Sequence, residues 1–326
     1  MIKIKNRKIF MTGGRGFIGT AIIQKLVSCN KLVIYDNGRR DALRYFPVKE
    51  QRNISIVKGD ILNTGLLKKS IKGCDTIIHL AAMAGVTSYY KDPVKTMEVN
   101  FLGTYNILNI AKDMDLKLFL NFSTSEVYGP YADRVRERGL TTQGPPQESR
   151  WTYSVSKLAA EHLVFAFGRE YGIPVVSVRP FNIYGPGQVG EGAMQIFIKN
   201  ALSGNPLVVT GNGKQVRAWC YIENLVNAIE MILSNKSSVG NIFNIGDPDS
   251  SVNILDLAKK IVKKTGSDSK IIFKKHIGTD IRYRIPDIGN ARDILHFKPD
   301  IGLDEGLWRS IEWYKDNLAG LERHEQ

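Results

Sequence analysis

The sequence predicts a doubly wound α/β fold, in which a parallel sheet is covered by helices on both faces and a smaller mixed α/β lobe follows it. Three observations carry that expectation. Short β-branched runs alternate with amphipathic stretches over the first 180 residues. The runs are continuously apolar, as strands buried on both faces must be. The first of them passes straight into a glycine-rich turn that opens a helix.

Taken in order, the expected strands are Lys8–Thr12, Leu32–Tyr35, Ile54–Lys58, Thr76–Leu80, Leu116–Phe122 and Val175–Arg179. Between them, apolar residues recur at helical spacing in Phe17–Ser28, Thr64–Ile71, Val94–Lys112 and Tyr153–Tyr171. Such alternation implies right-handed crossovers and parallel pairing. After Pro180 the rhythm loosens, and Pro and Gly punctuate the stretch to Gly192. Helix Ala193–Leu202, strand Leu207–Val209, helix Ile222–Leu233, strand Ile242–Ile245 and helices Ile254–Thr265 and Asp304–Asn317 follow. Residues 1–180 therefore read as a dinucleotide-binding domain of Rossmann type, and residues 181–326 as a substrate lobe that returns some elements to the first domain.

Composition excludes several classes. With 43% hydrophobic and 24% charged residues, the 326-residue chain has the make-up of a globular protein, not of a disordered one. Apolar runs such as Thr76–Ala82 and Val175–Val178 are too short to cross a bilayer, so no membrane insertion is expected. The basic start Met1–Lys8 lacks the apolar core of a signal peptide. Cys29, Cys74 and Cys220 are scattered, which argues against a disulfide framework and against a metal site. A reducing, cytoplasmic setting follows. The net charge of +13 resides mostly in lysines spread along the chain, without an aromatic-basic motif, so no nucleic-acid partner is expected. A diphosphate ligand would gain from that field.

The turn Thr12-Gly13-Gly14-Arg15-Gly16-Phe17-Ile18-Gly19 is a GxxGxxG variant of the dinucleotide fingerprint. Gly13 supplies the tight turn, Gly16 lets backbone approach a pyrophosphate, and Gly19 allows close packing of the helix on the sheet. The helix N-terminus then meets the phosphates. Asp36, at the end of the second strand, would accept both adenosine ribose hydroxyls and repel a 2′-phosphate, so NAD is expected over NADP; Arg39 and Arg40 are the residues that could reverse this. Asp60 reads equally well as a partner for the adenine amine or as a helix cap. Phe17, Ile18, Asn37 and Ile61 adjoin these positions and complete the expected cofactor contacts.

Tyr153 and Lys157 form a YxxxK pair on one helical face. A nearby ammonium and a positively charged nicotinamide ring favour the phenolate, so Tyr153 can take a proton from a sugar hydroxyl, and Lys157 can also hold the nicotinamide ribose. The fifth strand ends in Asn121-Phe122-Ser123-Thr124-Ser125-Glu126-Val127-Tyr128-Gly129, where side chains reach the cofactor cleft, and Thr124 is placed against the reacting hydroxyl.

TGGxGFIG, His79-Leu80-Ala81-Ala82, Asn100, STSEVYG, YxxxK and Arg179-Pro180-Phe181-Asn182-Ile183-Tyr184-Gly185-Pro186 stand in the order seen in extended short-chain dehydrogenases/reductases. Over nearly its whole length the chain resembles the nucleotide-sugar epimerase/dehydratase/decarboxylase group. That resemblance implies cofactor contacts at Leu80, Ala81, Ala82 and Asn100. It puts Asn182 and Arg217 on the substrate diphosphate and Val208 near the base of a nucleotide sugar, most simply a UDP-sugar. It also implies a homodimer that pairs the helices Val94–Lys112 and Tyr153–Tyr171, with Leu158, His162 and Phe165 at suitable spacing. His79, ending a buried strand, reads as structural.

The shared chemistry is oxidation at C4, after which a 4-keto sugar can be re-reduced with inversion, dehydrated or, when C6 is a carboxylate, decarboxylated. Glu126 discriminates among these fates, because an epimerase needs no acid–base group beside C5. Ser125-Glu126 is similar to the pattern of UDP-glucuronate decarboxylases and unlike the Asp-Glu of dTDP-glucose dehydratases. Arg150-Trp151-Thr152-Tyr153 also looks like the helix start of a decarboxylase, and Arg284 falls where that family places an arginine for the sugar carboxylate. Decarboxylase is the leading expectation, with a 4,6-dehydratase or a 4-epimerase as alternatives. A non-catalytic nucleotide-binding protein fits poorly with the presence of Thr124, Tyr153 and Lys157 together.

Overall fold

The computed structural model describes residues 4–47, 52–275, 279 and 281–322. The chain opens with β1 (Lys8–Thr12), α1 (Phe17–Leu26), β2 (Lys31–Asp36), β3 (Ile54–Lys58), α2 (Thr64–Ser70) and β4 (Thr76–His79). After α3 (Val86–Lys91), α4 (Pro93–Met97) and α5 (Gly103–Ala111) come β5 (Leu118–Phe122), β6 (Ala132–Val135), α6 (Thr152–Tyr171) and β7 (Val175–Pro180). The second half contributes β8 (Ile183–Tyr184), α7 (Ala193–Leu202), β9 (Leu207–Thr210), β10 (Val216–Ala218), β11 (Cys220–Tyr221) and α8 (Ile222–Ser234). It closes with β12 (Ile242–Ile245), β13 (Ser251–Asn253), α9 (Ile254–Thr265), β14 (Ile271–Lys274), β15 (Tyr283–Pro286), α10 (Gly289–Leu295) and α11 (Leu303–Glu322).

Seven strands form one parallel sheet in the order β12-β7-β5-β4-β1-β2-β3. Ile9, Phe10 and Met11 of β1 have no exposed surface, which is why that strand reads as an unbroken apolar run. Strand order reverses between β1 and β4, and the crevice at their carboxyl ends is where a doubly wound sheet binds its ligand. β12, from the second half of the chain, pairs in parallel with β7, so the second half contributes to the main sheet.

The helix expected over Val94–Lys112 is interrupted. A π-turn at Glu98–Leu102 separates α4 from α5 and rotates Asn100 into the interior. The second departure is a four-stranded sheet, β13-β10-β15-β6, whose strands were not anticipated. β6 lies in the first half of the chain and pairs in parallel with β15, opposing Ala132 to Arg284. β10 pairs β15 on the other side, with Arg217 opposite Arg284. This small sheet brings residues from both halves to one edge of the crevice. Among the described residues no helix is long and apolar enough to cross a membrane.

Candidate active site

A cleft of about 740 Å³ follows the carboxyl edge of the main sheet. Its walls include Gly13, the turn from Gly16 to Gly19, Asp36 and Asn37, Asp60 and Ile61, and Leu80, Ala81 and Ala82. Gly13 has φ +69°, and a Cβ there would lie 2.7 Å from the Ala81 nitrogen, so only glycine fits. A Cβ on Gly16 would meet only the Gly13 carbonyl, at 3.3 Å, and would otherwise enter the cleft. No side chain caps α1 at Gly16, which leaves its first N–H groups for a ligand. Gly19 differs in detail from expectation, because a Cβ there would strike the Gly14 Cα at 2.6 Å; the close approach is within the turn.

Asp36 accepts hydrogen bonds from Arg15 N (3.0 Å) and Gly38 N (2.7 Å), which aims its carboxylate across the turn. Burial pushes its pKa up against those bonds. Asp60 accepts from Leu62 N (2.9 Å), whereas the cap of α2 is Asn63, whose side chain accepts from Leu66 N (3.1 Å). The helix-cap reading of Asp60 is therefore not what the structure shows, and Asp60 lines the cleft. Arg39 and Arg40 turn away from Asp36 and span the cleft: Arg40 Nη2 donates to the Ala84 carbonyl (2.8 Å), and Arg39 reaches Ser88 Oγ (3.5 Å).

Asn100 stands behind the wall. Its Oδ1 accepts from Met83 N (2.7 Å), and its Nδ2 donates to Met83 O (3.2 Å) and Ser156 Oγ (2.9 Å). These bonds hold the Ala82–Met83 segment against α6, and the neighbouring cleft residue is Val99. His79 continues this support. The Thr104 hydroxyl donates to Asn100 O (2.7 Å) and therefore accepts from His79 Nε2 (3.0 Å). Nδ1 then accepts from Thr12 Oγ1 (2.7 Å), whose oxygen takes the Ala81 N–H (3.2 Å). Burial, aided by Lys157, pushes the His79 pKa down to about 3, so the ring is a neutral strut.

The catalytic candidates converge at the end of β5. Thr124 caps a 3-10 turn over Ser125–Tyr128 by accepting Glu126 N (3.2 Å), and it hydrogen-bonds the Tyr153 phenol. Ser125 is buried in that turn. Burial pushes Tyr153 up to about 12, opposed by Thr124 and by Arg40, so the phenol is protonated at neutral pH until a further positive charge arrives beside it. Lys157, 2% exposed, is pushed down to about 8 by burial and raised by Glu161. Arg40, from the opposite wall, is thus a cation acting on Tyr153 that the YxxxK pattern does not reveal.

Glu126 lies among arginines. Arg150 Nη2 donates to its Oε2 (2.7 Å), and Arg284 Nη1 stands 2.8 Å from Oε1. Burial alone would raise the Glu126 carboxyl, but Arg284, Arg150 and Arg217 outweigh it and hold the group below the usual carboxylate range. The Arg284 side chain is 3% exposed, and its Nη2 has no hydrogen-bond partner among the described residues. Arg150, flanked by Tyr89 and Trp151 at 5.7 and 5.4 Å, was not anticipated as a site residue. The signal available was its position just before the Tyr153 helix. Asn182, with φ +39°, donates from Nδ2 to Ala218 O (2.9 Å) and so ties the β7–β8 link to β10. Val208 stands on β9, 38% exposed and opposite Ile272, outside the bonds that gather the arginines.

Comparison with known proteins agrees with this arrangement. A family model described as the NAD dependent epimerase/dehydratase family matches residues 9–246. The chain is 33% identical to UDP-N-acetyl-alpha-D-glucosaminuronate decarboxylase of Bacillus cytotoxicus, covering 95% of this chain and 98% of that one. It is 30% identical to dTDP-glucose 4,6-dehydratase of Streptomyces niveus, covering 97% and 95%. Its structure superposes with a TM-score of 0.87 on UDP-glucuronic acid 4-epimerase of Bacillus cereus, solved with UDP-glucuronic acid and NAD, at 31% identity over 95% of this chain and 99% of that one.

Proposed function

The chain belongs to the NAD-dependent epimerase/dehydratase family and is an NAD-dependent enzyme of nucleotide-sugar modification, and from that premise we propose that it decarboxylates a UDP-linked hexuronate, UDP-glucuronate first among them. The observation that carries this reading is the Glu126 cluster: a carboxylate held ionised by Arg284, Arg150 and Arg217, with Arg284 buried, its Nη1 paired to Glu126 and its Nη2 without a hydrogen-bond partner among the described residues. A buried guanidinium N–H without a hydrogen bond is costly, and an incoming carboxylate can accept from it.

The cleft fits NAD. Gly13, Gly16 and the uncapped N-terminus of α1 would hold its diphosphate, Asp36 its adenosine ribose and Lys157 its nicotinamide ribose. Bound there, NAD would supply the hydride acceptor for C4 and a positive charge that favours the Tyr153 phenolate. Tyr153 takes the O4 proton, and Thr124 orients that hydroxyl. With C4 a ketone, the C6 carboxylate belongs to a β-keto acid; the C5–C6 bond breaks, CO₂ leaves, and the resulting enolate needs one proton at C5.

Glu126 is suited to deliver it. In the free enzyme Glu126 is an anion paired with Arg284. A substrate carboxylate that binds Arg284 removes that partner and sets a second anion beside Glu126, and both changes raise its pKa. The residue then enters the reaction as an acid. The 4,6-dehydratase reading would instead use Glu126 as a base at C5, and its ionised state in the free enzyme favours that alternative if neutral hexoses prove to be substrates.

The reading includes a homodimer through α4, α5 and α6. Val94 (71%), Leu102 (46%) and Tyr105 (44%) are exposed apolar residues in that region. Leu158 and Phe165 are half-buried against the chain's own core. Incubation with UDP-glucuronate and NAD⁺, with products followed by mass spectrometry, tests the reaction. Loss of CO₂ supports it, whereas an isomer of unchanged mass would make the chain a uronate epimerase.

A further inference from the structure

Behind the site lies a buried charge network that the proposed chemistry does not use. Arg179, on β7 and 3% exposed, donates to Glu161 from Nη2 (2.6 Å) and from Nε (3.1 and 3.3 Å to the two oxygens). Its Nη1 donates to Tyr128 Oη (2.8 Å) and to the Glu137 carbonyl (3.2 Å), and its guanidinium lies 4.9 Å from the Tyr128 ring centre. The Tyr128 hydroxyl donates to Asn244 Oδ1 (2.8 Å), and Asn244 Nδ2 donates to Val135 O (2.9 Å) and Asp287 O (3.1 Å). Asn244 N donates to Glu137 Oε1 (2.8 Å), and Ser177 Oγ donates to Glu161 Oε1 (2.7 Å).

The arms of this network end on different halves of the site. Glu161 follows Lys157 by one turn of α6, so Tyr153, Lys157 and Glu161 share a face. Tyr128 ends the same 3-10 turn that presents Glu126. Asp287 lies three residues past Arg284, just beyond β15. One guanidinium thereby grips the helix of proton transfer on one side and both segments that present Glu126 and Arg284 on the other. Apolar packing of equal volume would be at least as stable as a buried ion pair. What the pair supplies in its place is fixed geometry, which matters because a displacement of about 1 Å in a reacting group costs about a hundredfold in rate.

Resting on the two-stage reading above, we propose that Arg179 is a positioning residue that keeps the oxidation half (Tyr153, Lys157) in register with the C5–C6 half (Glu126, Arg284), so that the 4-keto sugar made by the first is processed by the second before it escapes. Tyr128→Phe tests this directly, since it keeps the ring and removes only the hydroxyl that joins Arg179 to Asn244. In a single turnover the reduction of bound NAD proceeds within about twofold of wild type, later processing slows about tenfold, and free 4-keto sugar appears among the products. Asn244→Ala cuts the same arm one link further and gives the same partition, so it decides the matter if the first variant folds poorly. Glu161→Gln acts on the other arm: it slows the first step and moves its alkaline limb to lower pH, because Glu161 raises the pKa of Lys157. Equal slowing of both steps in Tyr128→Phe and Asn244→Ala, or an unaltered product ratio, would overturn the proposal. The partition is read on whichever nucleotide sugar reduces bound NAD in the wild type, so a failure to decarboxylate UDP-glucuronate overturns the substrate reading and leaves this test intact.

Discussion

Arg284 Nη1 lies 2.8 Å from Glu126 Oε1, while Arg284 Nη2 has no hydrogen-bond partner among the described residues. The contact is a buried ion pair, and Arg150 holds the other carboxylate oxygen. A ligand carboxylate that binds Arg284 therefore competes with Glu126 for it.

That exchange predicts proton uptake. Glu126 starts below the usual carboxylate range, and a bound uronate raises it. At a pH between the two values, binding draws a fraction of a proton from solution. Titration calorimetry of UDP-glucuronate in buffers of different ionisation enthalpy should report that uptake, and UDP-glucose should show none. Equal proton uptake for the two ligands would contradict the exchange.

Replacing Glu126 separates the steps. Glu126→Gln should leave the reduction of bound NAD nearly intact and slow product formation by roughly a hundredfold, the usual range for a lost acid–base group. Arg284→Gln should mainly weaken uronate binding, raising KM by about tenfold or more, because a hydrogen bond to a charged group is worth about 1.5–3 kcal/mol. Steady-state and single-turnover kinetics distinguish the two outcomes.

Lys157 trades stability for function. Its pKa falls from 10.5 in an unperturbed lysine to about 8 in the fold. The folded-state value is the lower one, so the charged side chain costs stability in full below about pH 8, and the cost fades as pH rises towards 10.5. Lys157→Met should abolish activity and stabilise the fold at neutral pH by roughly 3 kcal/mol. Denaturant melts at pH 7 and pH 10 should show that advantage shrinking; an advantage that grows with pH would contradict the assignment.

The proposed dimer is tested at the exposed apolar residues of α5. Tyr105→Glu, which puts a charge on α5 where the ring is 44% exposed, should shift the molar mass from dimer towards monomer in light scattering. A wild type that is already monomeric would remove the dimer from the account.

How much of this was readable in the sequence depended on how local the signal was. The glycine turn, Asp36 and the Tyr153–Lys157 pair are set by neighbours in the chain, and the structure places them on one cleft. The π-turn that buries Asn100 keeps the apolar rhythm of a helix, so Val94–Lys112 read as unbroken. β6, β10, β13 and β15 span three or four residues each, and their pairing joins residues far apart in the chain. That sheet is what sets Arg217 and Arg284 side by side. The place of Arg150 against Glu126 likewise follows from tertiary contact, not from spacing.

The most direct measurement is the product formed from UDP-glucuronate with NAD⁺ by the wild-type enzyme, identified by mass spectrometry and NMR. The account predicts a UDP-pentose or its 4-keto form, lighter than the substrate by one CO₂, with a solvent-derived hydrogen at C5. A product of unchanged mass inverted at C4, or no reaction alongside turnover of a neutral nucleotide-hexose, would contradict it.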